Sequence, residues 1–273
     1  MSTTAVIHAS DVQIENVSFS EPKVNKQGGK AVQLKYGGQN LQLRLPKTGF
    51  PAGLVQREDP NSGTTYTLIA SLKGCDPYAK ERSEDPTLGP LYNFMKDLQQ
   101  KLIEWATENS SKLFGKKRSA ESVNDSFKSI LSVSTDKVGD EYVPNGKYPP
   151  SLRFKIPVYD GRVDMDVVDN DLNPVMLTPD SLKSVFQKRV EANLVVVASV
   201  YVIGQSFGVS WRVKHGQVFQ PSRLTAASIF EKQEQVEVEA EAEVEAEVEA
   251  EPPPRSTETS GGGGGGRRRR AQA

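Results

Sequence analysis

The sequence predicts a mainly β fold with inserted helices (α+β), a partly open barrel followed by a disordered C-terminal tail. Three observations carry that prediction. Short alternating segments separated by glycine pairs fill the first part of the chain. Two long strand-like segments, residues 194–203 and 207–219, close the ordered part. From residue 231 onward the composition narrows to glutamate, alanine and valine, then to glycine and arginine. With 273 residues, 36% of them hydrophobic and 25% charged, the chain holds apolar material for about one domain of roughly 200 residues plus tails.

Each element has its own signal. Residues 12–19, 31–36 and 41–45 alternate apolar and polar side chains, with Gly28-Gly29 and Gly37-Gly38 as turns. Residues 64–72 (TTYTLIASL) read as a strand, and so do 152–158 and 162–168, joined by the hairpin turn Asp160-Gly161. Leu91, Phe94, Met95, Leu98, Leu102 and Trp105 recur at helical spacing and predict an amphipathic helix over 89–109. A second helix is expected over 119–131, with Val123, Phe127, Ile130 and Leu131 on one face. A third is expected after Thr178-Pro179-Asp180, an N-cap followed by proline. The resulting plan is a flexible start (1–10), one domain (11–225) with a helical insertion over 89–132, an acidic disordered stretch (226–260) and a Gly-Arg tip (261–273).

The scarce residues exclude whole classes of chemistry. One cysteine (Cys75) and two histidines (His8, His215) cannot build a four-ligand Cys/His zinc site or an intramolecular disulfide within one chain. The start of the chain has no signal-peptide pattern, and the longest near-apolar run, 194–203, is about half a membrane span. A soluble intracellular protein without metal, cofactor or membrane partner is expected. Pro46 precedes Lys47-Thr48, so no phosphate-cradling loop exists there. The fragments around Ser20, Lys23 and Lys47-Thr48-Gly49 lack the Ser-Asp-Asn element of an acyl-enzyme set. Asp164, Asp166, Asp169 and Asp171 miss the spacing of a calcium loop and read as a solvated hairpin edge. No catalytic constellation emerges, so the chain reads as a non-enzyme.

The formal net charge of −1 hides a partition. Residues 231–251 hold ten glutamates and one lysine, and residues 252–273 hold five arginines and one glutamate. Removing both from the totals of 34 basic and 35 acidic residues leaves 28 and 24, a mildly basic body. A basic body beside an acidic tail points to an anionic partner for which the tail competes.

Splitting the strands by parity locates the basic residues. Arg153 and Lys155 oppose Leu152, Phe154 and Ile156; Arg212 and Lys214 oppose Trp211 and Val213; Arg44 alternates with leucines; Lys35 opposes Leu34 and Tyr36. Each strand alone is an ordinary solvated face. Side by side, they would make a positive groove of the kind in which OB-type barrels hold single strands, cations tracking phosphates and rings stacking on bases. Tyr36 and Phe50 lead the candidate rings, followed by Tyr66, Tyr159 and Tyr201, while Trp211 falls on the core face. Lys116-Lys117-Arg118 between two helices is a further basic spot, suited to phosphate contact or nuclear import.

The chain also resembles a known family. Residues 21–30 (EPKVNKQGGK) with the strand to Tyr36, residues 41–46 with Pro51, Gly53 and Leu54, and Ser71-Leu72-Lys73-Gly74 ahead of the helix carry the likeness. So do residues 149–155 (PPSLRFK) and Gly204 followed by Phe207-Gly208-Val209-Ser210-Trp211. In order and spacing these are similar to the single-stranded-DNA-binding proteins of large nucleocytoplasmic DNA viruses, distant relatives of phage replication proteins with acidic tails. The resemblance implies an OB fold, sequence-independent binding of single-stranded DNA, and a role in viral DNA replication, recombination or repair. It also implies replication proteins as partners of the acidic tail, in a host nucleus or viral replication compartment. One departure stands out, because a proline-glycine spacer and Arg267 to Arg270 follow the acids here. The expected contacts are Lys35, Arg44, Arg153, Lys155, Arg212 and Lys214 on phosphates, with Tyr36 and Phe50 on bases. RNA as an alternative ligand and a homodimer as the assembled state stay open. The alternative reading is a non-enzymatic virion structural or scaffolding protein.

Overall fold

A long antiparallel hairpin is the spine of the fold. The computed structural model describes residues 6–25, 28–60, 63–79 and 85–220; the expectations for residues 1–5 and for the acidic and Gly-Arg segments lie outside them. Of the fifteen strands in the main sheet among the described residues, twelve position the site: β1 (Val6–His8), β2 (Val17–Phe19), β3 (Lys30–Tyr36), β4 (Gln42–Arg44), β5 (Thr48–Phe50), β6 (Leu54–Asp59), β7 (Gly63–Ser71), β8 (Phe127–Lys128), β9 (Ser151–Ile156), β10 (Asp166–Val168), β11 (Val190–Ile203) and β12 (Ser206–Phe219). Four helices accompany them: α1 (Gly89–Glu108), α2 (Ser110–Phe114), α3 (Ala120–Ser126) and α4 (Leu182–Val185).

β11 and β12 pair along their whole length, and each offers its other edge to three short strands. Along β11 these are β5, β4 and β3, all antiparallel. Along β12 they are β8, β9 and β10, all parallel. β9 pairs on with β7, and β7 reaches β5 through the single pair Gly49 and Ser71. The ring β11–β12–β9–β7–β5 is therefore a barrel with one weak seam, a partly open one. β6 extends β7 outward, β2 extends β3, and β1 runs parallel to β4. A start expected to be flexible thus contributes a strand at Val6–His8.

Parity explains the interior. The even residues of β11 from Val190 to Val202 are buried, together with Leu152, Phe154 and Ile156 of β9 and Leu68 and Ala70 of β7. α1 adds Leu91, Phe94, Met95, Leu98, Leu102 and Ala106 to the same core. Pro90 opens this helix, and the Asp85 carboxylate accepts from the N–H groups of Thr87 and Leu88 just ahead of it (2.8 and 3.0 Å). The second expected helix stops early: α3 ends at Ser126, where Phe127 turns extended to pair with β12. Phe127 packs on Phe207 at 5.1 Å, so its helical spacing records a strand's contact. Thr178 and Ser181 cap each other's N–H groups at 2.9 and 3.1 Å, but the helix they announce lasts only four residues.

One irregularity in the spine matters. Between Val195 and Val196 the register of β11 on β12 slips, leaving Lys214 as the extra residue of a β-bulge. Before it Trp211 and Val213 point inward; beyond it Gly216 and Val218 do. The bulge divides the outer face of β12 into two environments.

Candidate nucleic-acid interface

The outer face of the barrel carries an open groove of about 760 Å³ across β3, β6, β7, β8, β9, β11 and β12. Its axis follows from the register. Gln42, Val197, Arg212, Lys155, Thr67 and Val55 lie in one row across six strands, all on the outer parity. Among the described residues, the basic side chains lining the groove are Arg57, Lys128, Arg153, Lys155 and Arg212, and no acidic one lines it. Arg57, Lys128, Arg153 and Lys155 have no ion-pair partner among the described residues. Arg212 donates from Nη1 to the Tyr159 hydroxyl at 3.2 Å, which holds its guanidinium beside a half-exposed ring. Between the cations stand Thr65, Thr67, Ser199 and Ser210, small polar residues that leave the groove open.

Tyr201 supplies a ring to the groove. Burial pushes its phenol above the ordinary range, so the group stays neutral and donating at physiological pH. Its seat depends on Gly208 in β12, directly opposite. A Cβ on Gly208 would lie 2.8 Å from the Tyr201 hydroxyl and 3.2 Å from the Cβ of Lys128. This glycine serves close approach within a strand.

Of the residues expected from sequence, the structure brings Arg153, Lys155 and Arg212 together in the groove. Lys35 and Arg44 are carried on neighbouring strands but lie outside it. Lys35 sits where β3 has left β11 to pair with Ser18 and Asn40. Arg44 belongs to the adjacent row, Arg44–Val195–His215–Asp166, beyond the bulge. Lys214 is engaged elsewhere, its Nζ 2.8 Å from Asp164, whose carboxyl that hydrogen bond and charge hold below the usual range. Two expectations are corrected. Phe50 is fully buried, because Thr48–Phe50 closes the barrel and its ring fills the core. Tyr36 packs against the core, and its hydroxyl accepts from the Gln13 N–H and the Asn16 amide (3.3 and 3.4 Å). Phe50 thus has no face to offer a base, and Tyr36, partly buried, lies outside the groove lining.

Arg57 and Lys128 were missed. The alternation of β6 is blurred by Gln56, Arg57 and Glu58, and Lys128 was hidden inside an expected helix. The aspartate cluster has structural work: Asp164 pairs with Lys214, Asp166 faces His215 at 3.5 Å, and Asp169 accepts from the N–H groups of Asp171 and Asn173. Among the described residues, no three His, Cys, Asp or Glu side chains are grouped to hold a metal ion.

No family model matches this chain, and no curated protein matches it. Among solved structures it is similar to gp2.5, a single-stranded DNA binding protein encoded by bacteriophage T7. Identity is 11%, the match covers 68% of this chain and 89% of that one, and the TM-score is 0.39. It is also similar to the single-stranded DNA-binding protein of bacteriophage Enc34 in complex with single-stranded DNA. There the identity is 11%, with 77% and 98% covered and a TM-score of 0.37.

Proposed function

We propose that this chain is a non-enzymatic protein that binds single-stranded DNA along the groove without regard to sequence. One observation carries the proposal: among the described residues, five cations and no acidic side chain line a single groove. Like charges placed side by side on a sheet cost stability. Arg212 lies directly opposite Lys155, an arrangement that a polyanion relieves. Phosphates would follow the cations, and bases would stack on Tyr201 and Tyr159 at roughly 1–3 kcal/mol per base. Five phosphate contacts correspond to a log–log salt slope of about −3.5 on single strands.

The tail belongs to the same reading. Ten glutamates within residues 231–251 carry the charge sign of DNA, so the segment modulates access to the groove or recruits replication proteins. Action in viral DNA replication, recombination or repair, in a host nucleus or a viral replication compartment, completes the proposal, as does membership of the viral family that the sequence resembles.

Fluorescence anisotropy of a labelled oligo-dT of about 16 nucleotides, the upper end of single-fold site sizes, tests it. The full chain and a chain ending at Phe230 are compared at two salt concentrations, with duplex and RNA competitors. Salt-sensitive binding that prefers single-stranded DNA and strengthens on truncation is expected. No binding by the shortened chain would overturn the proposal. The rival reading, a scaffolding protein, has one observation in its favour. The hairpin of Thr135–Val138 and Glu141–Pro144 stands off the main sheet with Val138 and Tyr142 exposed. A protein that binds duplex and single strand alike would favour that rival.

A further inference from the structure

The helical insertion meets the groove at one end, through Arg118. Its backbone N–H donates to Ser110 Oγ (3.2 Å), and its Nη1 donates to Ser126 Oγ (3.1 Å) and to the carbonyl of Gln205 (3.5 Å). The guanidinium lies 4.2 Å from the centre of the Phe114 ring, and Phe114 packs edge-on against Phe207 of β12. Gln205 is in the turn of the spine hairpin, two residues beyond Ile203, which lines the groove with 66% of its surface exposed. Ser126 is two residues before Lys128, a groove cation. The C-terminal end of α2 is held as well: Lys30 Nζ, at the start of β3, donates to the carbonyls of Lys112 and Leu113.

These contacts fix the turn between α2 and α3 at the Tyr201–Ile203 end of the groove. On that turn Lys116 and Lys117 are exposed and have no ion-pair partner among the described residues. Gly115, left-handed at φ 76°, ends α2 immediately before them. Of the three basic residues in the run, Arg118 is turned inward and spent on the protein itself. An import signal read as an extended peptide would need all three side chains available, whereas a phosphate contact needs only the outer two.

We infer that Lys116 and Lys117 form a second phosphate-binding patch, which receives a single strand leaving the groove past Tyr201 and Ile203, with Arg118 as the residue that positions it. The inference rests on the groove reading above and extends its track. A short strand fills the groove alone, and a longer one reaches the lysines.

The test compares the full chain with its Lys116→Ala/Lys117→Ala and Arg153→Ala/Lys155→Ala variants on oligo-dT of about 6 and about 16 nucleotides, within the range of single-fold site sizes. The expected result for Lys116→Ala/Lys117→Ala is unchanged affinity on the short strand and several-fold weaker binding on the long one. Its salt slope on the long strand should be flatter by about 1.4, the value for two phosphates. Arg153→Ala/Lys155→Ala should weaken both. Unchanged affinity and slope on the long strand would overturn the inference while leaving the groove intact. Equal weakening on both lengths would also overturn it, since the lysines would then belong to the primary site. Failure of the unsubstituted chain to bind either strand would instead sink the groove reading, and the inference with it. Arg118→Lys keeps the charge but loses the planar set of contacts. It should reproduce the long-strand defect without touching Lys116 or Lys117.

Discussion

Arg212 and Lys214 stand two residues apart on one strand, yet their charges meet opposite neighbours. Arg212 lies in a row with Lys155 beside it, so cation meets cation. Past the bulge, the next row runs Arg44, Val195, His215, Asp166, and Lys214 closes on Asp164 at 2.8 Å. One end of the strand is neutralised from within the protein. The other keeps its charge uncompensated at some cost in stability, on the order of a few tenths to 1 kcal/mol for each opposed like pair. Such an uncompensated set is what a site for an external anion looks like, whereas Lys214, which sequence alone groups with it, already has its partner inside the fold.

The strongest way to break this contrast is to empty the charged end. Arg153→Ala/Lys155→Ala should lower affinity for oligo-dT at least tenfold, about 1.4 kcal/mol. On a strand of about 6 nucleotides, which fills the groove alone, it should also flatten the salt slope from about −3.5 to about −2.1 in an anisotropy titration, equally across sequences. Thr67→Asp makes the groove resemble the neutralised end, because Thr67 is the direct partner of Lys155. Thermal unfolding should show stability held or slightly raised while DNA affinity falls several-fold, the two readouts moving apart. Tyr201→Ala probes stacking and should cost about 1 kcal/mol of binding, the lower end for a base–aromatic contact since the ring is partly covered. Gly208→Ala should give a similar loss by displacing that ring. Quenching of tyrosine fluorescence by oligo-dT, compared across these variants, checks the assignment.

The smallest effects belong to the neutralised end. Lys214→Ala should change affinity less than about twofold, as expected of an exposed pair. Asp164→Asn frees Lys214 and should strengthen binding slightly. The sign with pH follows from the lowered carboxyl pKa. The pair is intact above the ordinary carboxylate value of 3.8 and is lost only as pH falls through a still lower value in the folded protein. The advantage of Asp164→Asn over the unsubstituted chain should therefore stay constant between about pH 5 and 8. An advantage that changed across that range would show that another group controls Lys214.

Much of the barrel was legible because strand parity is a local property. Leu152, Phe154 and Ile156 announce which face of β9 is buried, and that alone places Arg153 and Lys155 outside. Register is not local. Nothing in the order of residues says that Lys155 meets Arg212 while Lys214 meets Asp164, since the bulge that separates them is set by the pairing of two strands. Phe50 misled for a related reason: three residues are too few for alternation to show which way a ring points, and barrel closure decides. Phe127 misled because contact with Phe207 places an apolar residue at a spacing that a helix would also use. Lys128 was lost with it.

The spine hairpin is also the last part of the described chain to be made. Strands β3, β4 and β5 on one edge and β8, β9 and β10 on the other all dock onto residues 190–219, which follow them in sequence. At about 5–20 residues per second, β3 waits roughly 8 to 30 seconds during synthesis for the hairpin it joins to begin, and β10 only about 1 to 5 seconds. When the hairpin emerges it closes locally and fast, and the earlier strands then join across long loops, the slow class of folding event. Until that moment each of the six strands lacks one of its neighbours, and closure of the barrel waits on the C-terminal hairpin.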